Sequence, residues 1–324
     1  MAKAMMVSEV GGPEVMKWQD IDVPQPGVGE VTLRHTAIGL NYIDVYFRKG
    51  LYAAGKTPFV PGLEAAGVVE VLGEDVSNLQ IGDRVAYAAP PIGAYCERRN
   101  FPSEFLVKIP EVITDKQAAA MMLKGMTAEY LLKRTYPVKK GDVILVHAAA
   151  GGVGLIACQW AKHLGATVIG TVGSSKKIDI ARKNGCDYPI LYTDNVVRNV
   201  KEITNGRGVP VVYDSVGRAT FQDSLDCLQP RGLLVCFGQS SGPIDPIDLA
   251  VLGAKGSLFL TRPTLFTYNA TRDELIESAS ALIDVVSKKI VTVEVNQTFA
   301  LSDVVVAHQA LEGRRTTGST VLLA

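Results

Sequence analysis

Between Gly141 and Lys177 the chain reads GDVILVHAAAGGVGLIACQWAKHLGATVIGTVGSSKK, and this stretch leaves little freedom for the architecture around it. Val143 to Ala148 is a short apolar run rich in branched side chains, which suits a strand buried on both faces. The chain turns at Gly151, Gly152 and Gly154, continues from Leu155 to Leu164 in a helical pattern, and enters a second β-branched run from Thr167 to Val172. That order predicts a βαβ unit with a right-handed crossover. Glycines at such a turn let the backbone approach a pyrophosphate, and the free N–H groups of the helix face the phosphates.

The spacing departs slightly from the dinucleotide fingerprint: in Ala149-Ala150-Gly151-Gly152-Val153-Gly154 the first glycine is replaced by alanine. The strand before, the helix after and further β/α units downstream make the turn a dinucleotide site rather than an ordinary tight turn. The end of the second strand selects the dinucleotide. A site for NADH places a carboxylate about 20 residues past the turn to accept from the ribose 2′-OH. Here Val172 and Gly173 are followed by Ser174, Ser175, Lys176 and Lys177, with no carboxylate before Asp179. Hydroxyls and ammonium groups would hold a 2′-phosphate that a carboxylate would repel, so the sequence favours NADPH.

At 324 residues the chain has the length of two domains, and 47% hydrophobic residues can fill both cores. Lysine plus arginine balances aspartate plus glutamate, so no net charge points to nucleic acid or a membrane surface. Five scattered cysteines without a C-x-x-C pair fit reduced thiols in a cytoplasmic protein. No signal peptide or transmembrane helix is expected.

Residues 1–121 show short β-type runs, such as Glu30 to Arg34 and Gly67 to Leu72, separated by turn signals. They predict a partly open β-barrel with one short helix around Asn41 to Arg48. From Thr114 helices are expected at Lys116–Met122 and Met126–Thr135. Strands then follow at Tyr188–Tyr192, Val209–Asp214, Gly232–Gly238 and Ser257–Thr261. With the first two, these six make a doubly wound parallel α/β sheet. After Pro263 come a long amphipathic helix (Asp273–Lys288), a strand (Ile290–Val295), a helix opening at Ser302-Asp303 and a final strand (Gly318–Leu323). The expected division is a β-barrel domain of residues 1–121 plus 266–324 around a nucleotide-binding domain of residues 122–265.

Together these features resemble the medium-chain dehydrogenase/reductase superfamily, within it the zinc-free quinone oxidoreductase (zeta-crystallin-like) branch with its GroES-like barrel. The branch signature G-D-x-x-L-x-x-x-A-A-G-G-x-G-x-x-x-x-Q-x-x-K is met by Gly141, Asp142, Leu145, Ala149, Ala150, Gly151, Gly152, Gly154, Gln159 and Lys162. Two further stretches match, Asn41 to Gly50 and Pro61 to Gly67. Zinc-dependent members instead carry Gly-His-Glu where this chain has Gly62-Leu63-Glu64. They also offer a cysteine near Ile38-Gly39 and often a four-cysteine lobe near residue 100, where Cys96 stands alone. The softer ligands that zinc needs are missing, so no metal is expected.

The resemblance implies NADPH-dependent quinone reduction without a metal. It places the nicotinamide beside Asn41, Tyr46 and Thr127, with Lys124 and Tyr130 on the connecting helix. At the glycine turn that begins with Gly151, it puts Gly152 and Val153 against the pyrophosphate, and Gly173, Ser174, Lys177 and Tyr192 around the 2′-phosphate. Further contacts are implied at Ser215 or Gly217, at Phe237, Gly238, Gln239 and Ser240, at Pro263 and Leu265, and at Arg314. Tyr46, Arg48 and Tyr52 are substrate-side candidates, because their donors could bond a developing oxyanion. Each also has an ordinary reading, as an aromatic packed on the barrel or as an arginine paired with Asp44. The strand Ser257–Thr261 should be a sheet edge that pairs with its two-fold mate in a homodimer. Two alternatives stay open: an NADPH-dependent alkenal or enone reductase, and an NADPH-binding protein with a crystallin-like or RNA-binding role. A neutral chain without a basic stripe gives no support to RNA binding.

Overall fold

Strands and helices alternate from Val143 to Thr261 and build a six-stranded parallel sheet in the computed structural model, which describes residues 1–324. Its strands lie in the order Tyr188–Leu191, Thr167–Val172, Val143–Val146, Val209–Asp214, Leu228–Cys236 and Phe259–Thr261. Numbered along the chain this is 3-2-1-4-5-6, the order of doubly wound dinucleotide folds. The order reverses between Val143–Val146 and Val209–Asp214, which opens a crevice at the carboxyl ends of those two strands. Leu145, Ile169, Val212 and Leu234 are fully buried in this sheet, as expected of strands covered on both faces.

The N-terminal unit is built on a largely antiparallel seven-stranded sheet. The long strand Glu30–Leu40 is its hub and pairs with Glu64–Leu72, Arg98–Pro102 and Ser319–Leu323. Register shifts at Thr32/Leu33 and His35/Ala37 bend this strand so that one chain can serve three neighbours. Val31, Leu33, Ile38, Tyr87, Phe101 and Leu106 form the core beneath it. His35 belongs to that core: its Nδ1 lies 2.8 Å from the Cys96 carbonyl, its Nε2 3.1 Å from the Tyr87 hydroxyl, and burial lowers its pKa to about 4.

The chain divides into residues 1–124, 271–280 and 293–324 on one side and 125–270 and 281–292 on the other. The return to the first unit therefore comes later than residue 266 and is interrupted. Two local contacts show why residues 281–292 stay with the nucleotide unit. Leu282 packs so closely on Gly125 that a Cβ there would come within 2.4 Å of it. Thr292 exchanges two hydrogen bonds with the Gln159 side chain, at 2.8 and 3.1 Å.

Several element boundaries differ from expectation. One helix, Asp115–Tyr130, replaces the two expected around Gly125 and runs on into a π-turn at Leu131–Thr135. The edge strand starts only at Phe259, because Gly256 and Ser257 adopt positive φ (111° and 56°). The strand expected at Ile290–Val295 lies at Val295–Ala300, where alternate residues are exposed.

Candidate active site

In the nucleotide unit the helix Gly152–His163 starts at the crevice, and its N-cap, Gly151, offers no side-chain bond to the first amides. Those N–H groups are left for an anion. Gly154 lets the helix pack on the turn: a Cβ there would lie 2.3 Å from the Ala148 carbonyl oxygen. Past the second strand, Gly173, Ser174 and Ser175 are exposed, a Cβ at Gly173 would meet nothing, and Lys177 stands in the first turn of helix Lys176–Lys183. These features fit a dinucleotide with a 2′-phosphate. Ser215, Gly217, Phe237 to Ser240, Pro263 and Leu265 follow the carboxyl ends of the remaining strands, so the structure brings this part of the expected set to one edge of one sheet.

Beneath that edge lies a polar cluster. Asp214, fully buried at the end of its strand, accepts the Val216 and Gly217 N–H groups on Oδ1 (2.7 and 3.0 Å) and the Thr220 and Ser224 hydroxyls on Oδ2 (2.7 and 2.8 Å). Ser224 Oγ in turn lies 3.0 Å from His147 Nε2, while His147 Nδ1 lies 2.9 Å from Thr171 Oγ1. Because Ser224 spends its hydrogen on Asp214, His147 must donate from Nε2 and accept at Nδ1. Burial lowers its pKa, which keeps it neutral. The Ala148 N–H donates to the Tyr192 hydroxyl at 2.9 Å, and the Tyr192 ring lies parallel to His147.

In the first unit the expected residues form a second group. Asn41 precedes the helix Tyr42–Arg48 and donates from Nδ2 to Glu64 Oε2 at 2.7 Å. Lys124 Nζ reaches the same oxygen at 3.5 Å and the Leu40 carbonyl at 3.3 Å. Glu64 Oε1 accepts the Leu123 N–H at 2.8 Å. Burial raises the Glu64 pKa, against the pull of Lys124 and Asn41. Gly39 makes this cluster possible, since a Cβ there would lie 2.2 Å from Glu64 Oε2 and 2.3 Å from the Ala119 carbonyl. No three His, Cys, Asp or Glu side chains stand where they could hold a metal ion. Tyr46 is nearly buried, edge-on to Tyr42 and Tyr52 with ring centroids 5.5 and 5.1 Å away.

Arg48 is a correction. It is fully buried, pairs with Glu312 and not with Asp44, and donates to His308 and to the Gly11 carbonyl, so its donors are spent inside the unit and do not serve a substrate. Thr127 and Tyr130 lie on the helix Asp115–Tyr130 within the nucleotide unit, where Tyr130 stacks on Tyr268 at 4.4 Å. Arg314 stands exposed in the turn after helix Val304–Glu312. Sequence reasoning passed over Asp214, Asp44, Tyr95 and His308 as site residues. Only Asp214 carried a local signal, an acid directly after the apolar run of a parallel strand.

Comparison with known proteins agrees with this picture. Residues 27–140 match the alcohol dehydrogenase GroES-like domain, and residues 152–284 match the zinc-binding dehydrogenase family. The chain is 51% identical over its full length to a quinone oxidoreductase of Pseudomonas aeruginosa, covering all of that protein. It is 47% identical to a 2-haloacrylate reductase from a Burkholderia species, covering 99% of it. The crystal structure of Escherichia coli quinone oxidoreductase complexed with NADPH superposes with a TM-score of 0.98, at 45% identity and full coverage of both chains.

Proposed function

The chain belongs to the quinone oxidoreductase family, and from that membership we propose that it is an NADPH:quinone oxidoreductase that works without a metal ion. The observation that carries this reading is the combination, in one chain, of an open glycine turn without a following carboxylate and a first unit with Leu63 where the Gly-His-Glu stretch of zinc-dependent members has its histidine. Bound NADPH supplies a hydride. Gly151, Gly152 and Val153 offer helix amides to its pyrophosphate, and Ser174 and Lys177 offer hydrogen bonds and charge to the 2′-phosphate. Ser215, Gly217 and the loop Phe237 to Ser240 shape the crevice around it, held from below by Asp214.

Asn41, Tyr46, Tyr52 and Lys124 are the proposed groups for the reacting end. Lys124 and Asn41 are held by the Glu64 carboxylate. The tyrosine hydroxyls are the donors that would meet an oxyanion as it develops on a quinone. A quinone spreads incoming charge over a conjugated system, so orientation and donors suffice where a less activated carbonyl would need a Lewis acid. The similarity to a 2-haloacrylate reductase supports a second reading, in which the acceptor is an electron-poor alkene. Chelator-treated protein should oxidise NADPH with 1,4-benzoquinone faster than with an activated enone, and much faster than it oxidises NADH. Faster enone turnover would favour the second reading, and equal use of NADH would sink the assignment of Lys177.

We also propose a homodimer joined through the edge strand at 257–261. Phe259 and Leu260 are 60% and 37% exposed there, on an edge strand that invites association unless a partner pairs with it. Five free, buried cysteines support a cytoplasmic setting. No helix is long and apolar enough to cross a membrane.

A further inference from the structure

A file of side chains in the first unit runs from Glu312 to Asn41, and between Arg48 and Asp44 its hydrogens all point toward the aspartate. Arg48 donates to Glu312 Oε1 at 2.6 Å and to His308 Nδ1 at 2.9 Å. A guanidinium has donors only, so His308 Nδ1 must accept and its proton sits on Nε2. Nε2 lies 3.0 Å from the Tyr95 hydroxyl, which accepts there and donates its own hydrogen to Asp44 Oδ2 at 2.8 Å. The same Asp44 oxygen accepts the Asn41 N–H at 2.9 Å. A permanent charge at one end thus makes Asp44 the obligatory acceptor at the other. Asp44 Oδ1 is buried without any partner, so it is where a proton taken up by Asp44 would settle.

We propose that Arg48, His308 and Tyr95 are positioning residues that hold ionised Asp44 as the acceptor for Asn41, and that protonation of Asp44 at Oδ1 loosens Asn41 and lowers binding and turnover. The proposal rests on the role assigned above to Asn41. The groups that act on Asp44 directly are Tyr95, the Asn41 N–H, Lys124 from helix Asp115–Tyr130 and Glu64 from its strand, while His308 and Arg48 reach it through Tyr95. Burial pushes the Asp44 carboxyl up to about 7, the Asn41 N–H, Tyr95 and Lys124 pull it down, and Glu64 pushes it up. Losing the charge turns two charge-assisted hydrogen bonds into weaker neutral ones.

The test follows NADPH affinity and kcat/KM with 1,4-benzoquinone from about pH 5.5 to 8.5, a range centred on the Asp44 transition. It compares the wild type with Asp44→Asn, Tyr95→Phe and, as a control, Tyr87→Phe, which removes a buried hydroxyl bonded to His35 outside the file. In the wild type both quantities should fall as the pH drops through about 7. Asp44→Asn should flatten both profiles, and Tyr95→Phe should move the acidic limb upward by about one pH unit through loss of a donor to the charged form. Tyr87→Phe should leave it in place. A limb that persists in Asp44→Asn, or that Tyr87→Phe moves as far as Tyr95→Phe does, overturns the proposal. If NADPH affinity follows this pattern but no acceptor turns over, the functional reading fails and the positioning file stands. Urea unfolding gives a readout independent of ligand: between about pH 4 and 7 the wild type should lose stability relative to Asp44→Asn. Parallel curves would overturn the proposal even for a protein that binds no NADPH.

Discussion

Each unit buries a histidine bonded at both ring nitrogens and leading to an aspartate, yet the two clusters are built for different ends. In the nucleotide unit the partners of His147 are hydroxyls, and Asp214 receives four donors, two on each oxygen. In the first unit His308 stands between a tyrosine and a guanidinium, and Asp44 receives two donors on one oxygen and none on the other. Burial together with Arg48 pushes the His308 pKa down to about 3, so the aspartate and not the histidine is the group that titrates near neutrality. A carboxylate satisfied on every side is scaffold, here for the 214–220 turn. A buried carboxylate with one bare oxygen is a place to put a proton.

The largest expected effect lies on the satisfied side. Asp214→Ala would strand the Val216 and Gly217 N–H groups and free the Thr220 and Ser224 hydroxyls in a dry site. We expect a loss of about 3–5 kcal/mol in urea unfolding, the range for breaking a buried charged network, together with loss of NADPH binding. A cost below about 1 kcal/mol would mean that water replaces the carboxylate, and the contrast with Asp44 would fail.

The Asp44 effect is of comparable size but spread over pH. Its folded-state pKa of about 7 lies above the unfolded value near 3.9. Its contribution is therefore fully present below about pH 4 and is lost as pH rises through about 7. At about 1.4 kcal/mol per unit, the loss relative to Asp44→Asn reaches at most about 4 kcal/mol by pH 8.

How far each cluster could be read from the sequence follows from how local it is. The strand, turn and helix from Val143 to His163 declare themselves within about 20 residues, and the strand order follows from the alternation that comes after them. Asp214 reaches its four donors within ten residues, so a strand-end acid followed by glycine, threonine and serine was within reach of inspection. The Asp44 file is of another kind. Tyr95 lies 51 residues from Asp44 and His308 a further 213 from Tyr95. Arg48, only four positions from Asp44 in a helix, invites the local pairing but finds His308, 260 residues away. Local spacing cannot choose between a near partner and a distant one when the distant one arrives on another helix.

A smaller effect separates cofactor choice from the proton site. Lys177→Ala removes an ammonium from beside the expected 2′-phosphate, and a charge-assisted bond at a partly exposed site is worth about 1.4 kcal/mol, or tenfold in affinity. NADPH binding should weaken by that factor while NADH binding stays constant, and the acidic limb assigned to Asp44 should not move. A shift of that limb would show that the two units do not keep these tasks apart.

The smallest effect sharpens what makes the His147 cluster rigid. The Tyr192 hydroxyl accepts the Ala148 N–H, and its ring lies within 8° of parallel to His147 at a centroid distance of 5.9 Å. Tyr192→Phe keeps the ring and removes the acceptor. The Ala148 N–H also donates to Thr171 Oγ1 at 3.2 Å, and Ala148 is only half-buried with a left-handed φ of 54°, so the amide keeps one acceptor and water can reach it. The cost in urea unfolding should stay below about 1 kcal/mol, well under the effect of Asp214→Ala. If it approaches the cost of losing Asp214, the turn is held from above by Tyr192 as much as from below by the aspartate, and the scaffold in the nucleotide unit reaches up to its ligand-facing surface.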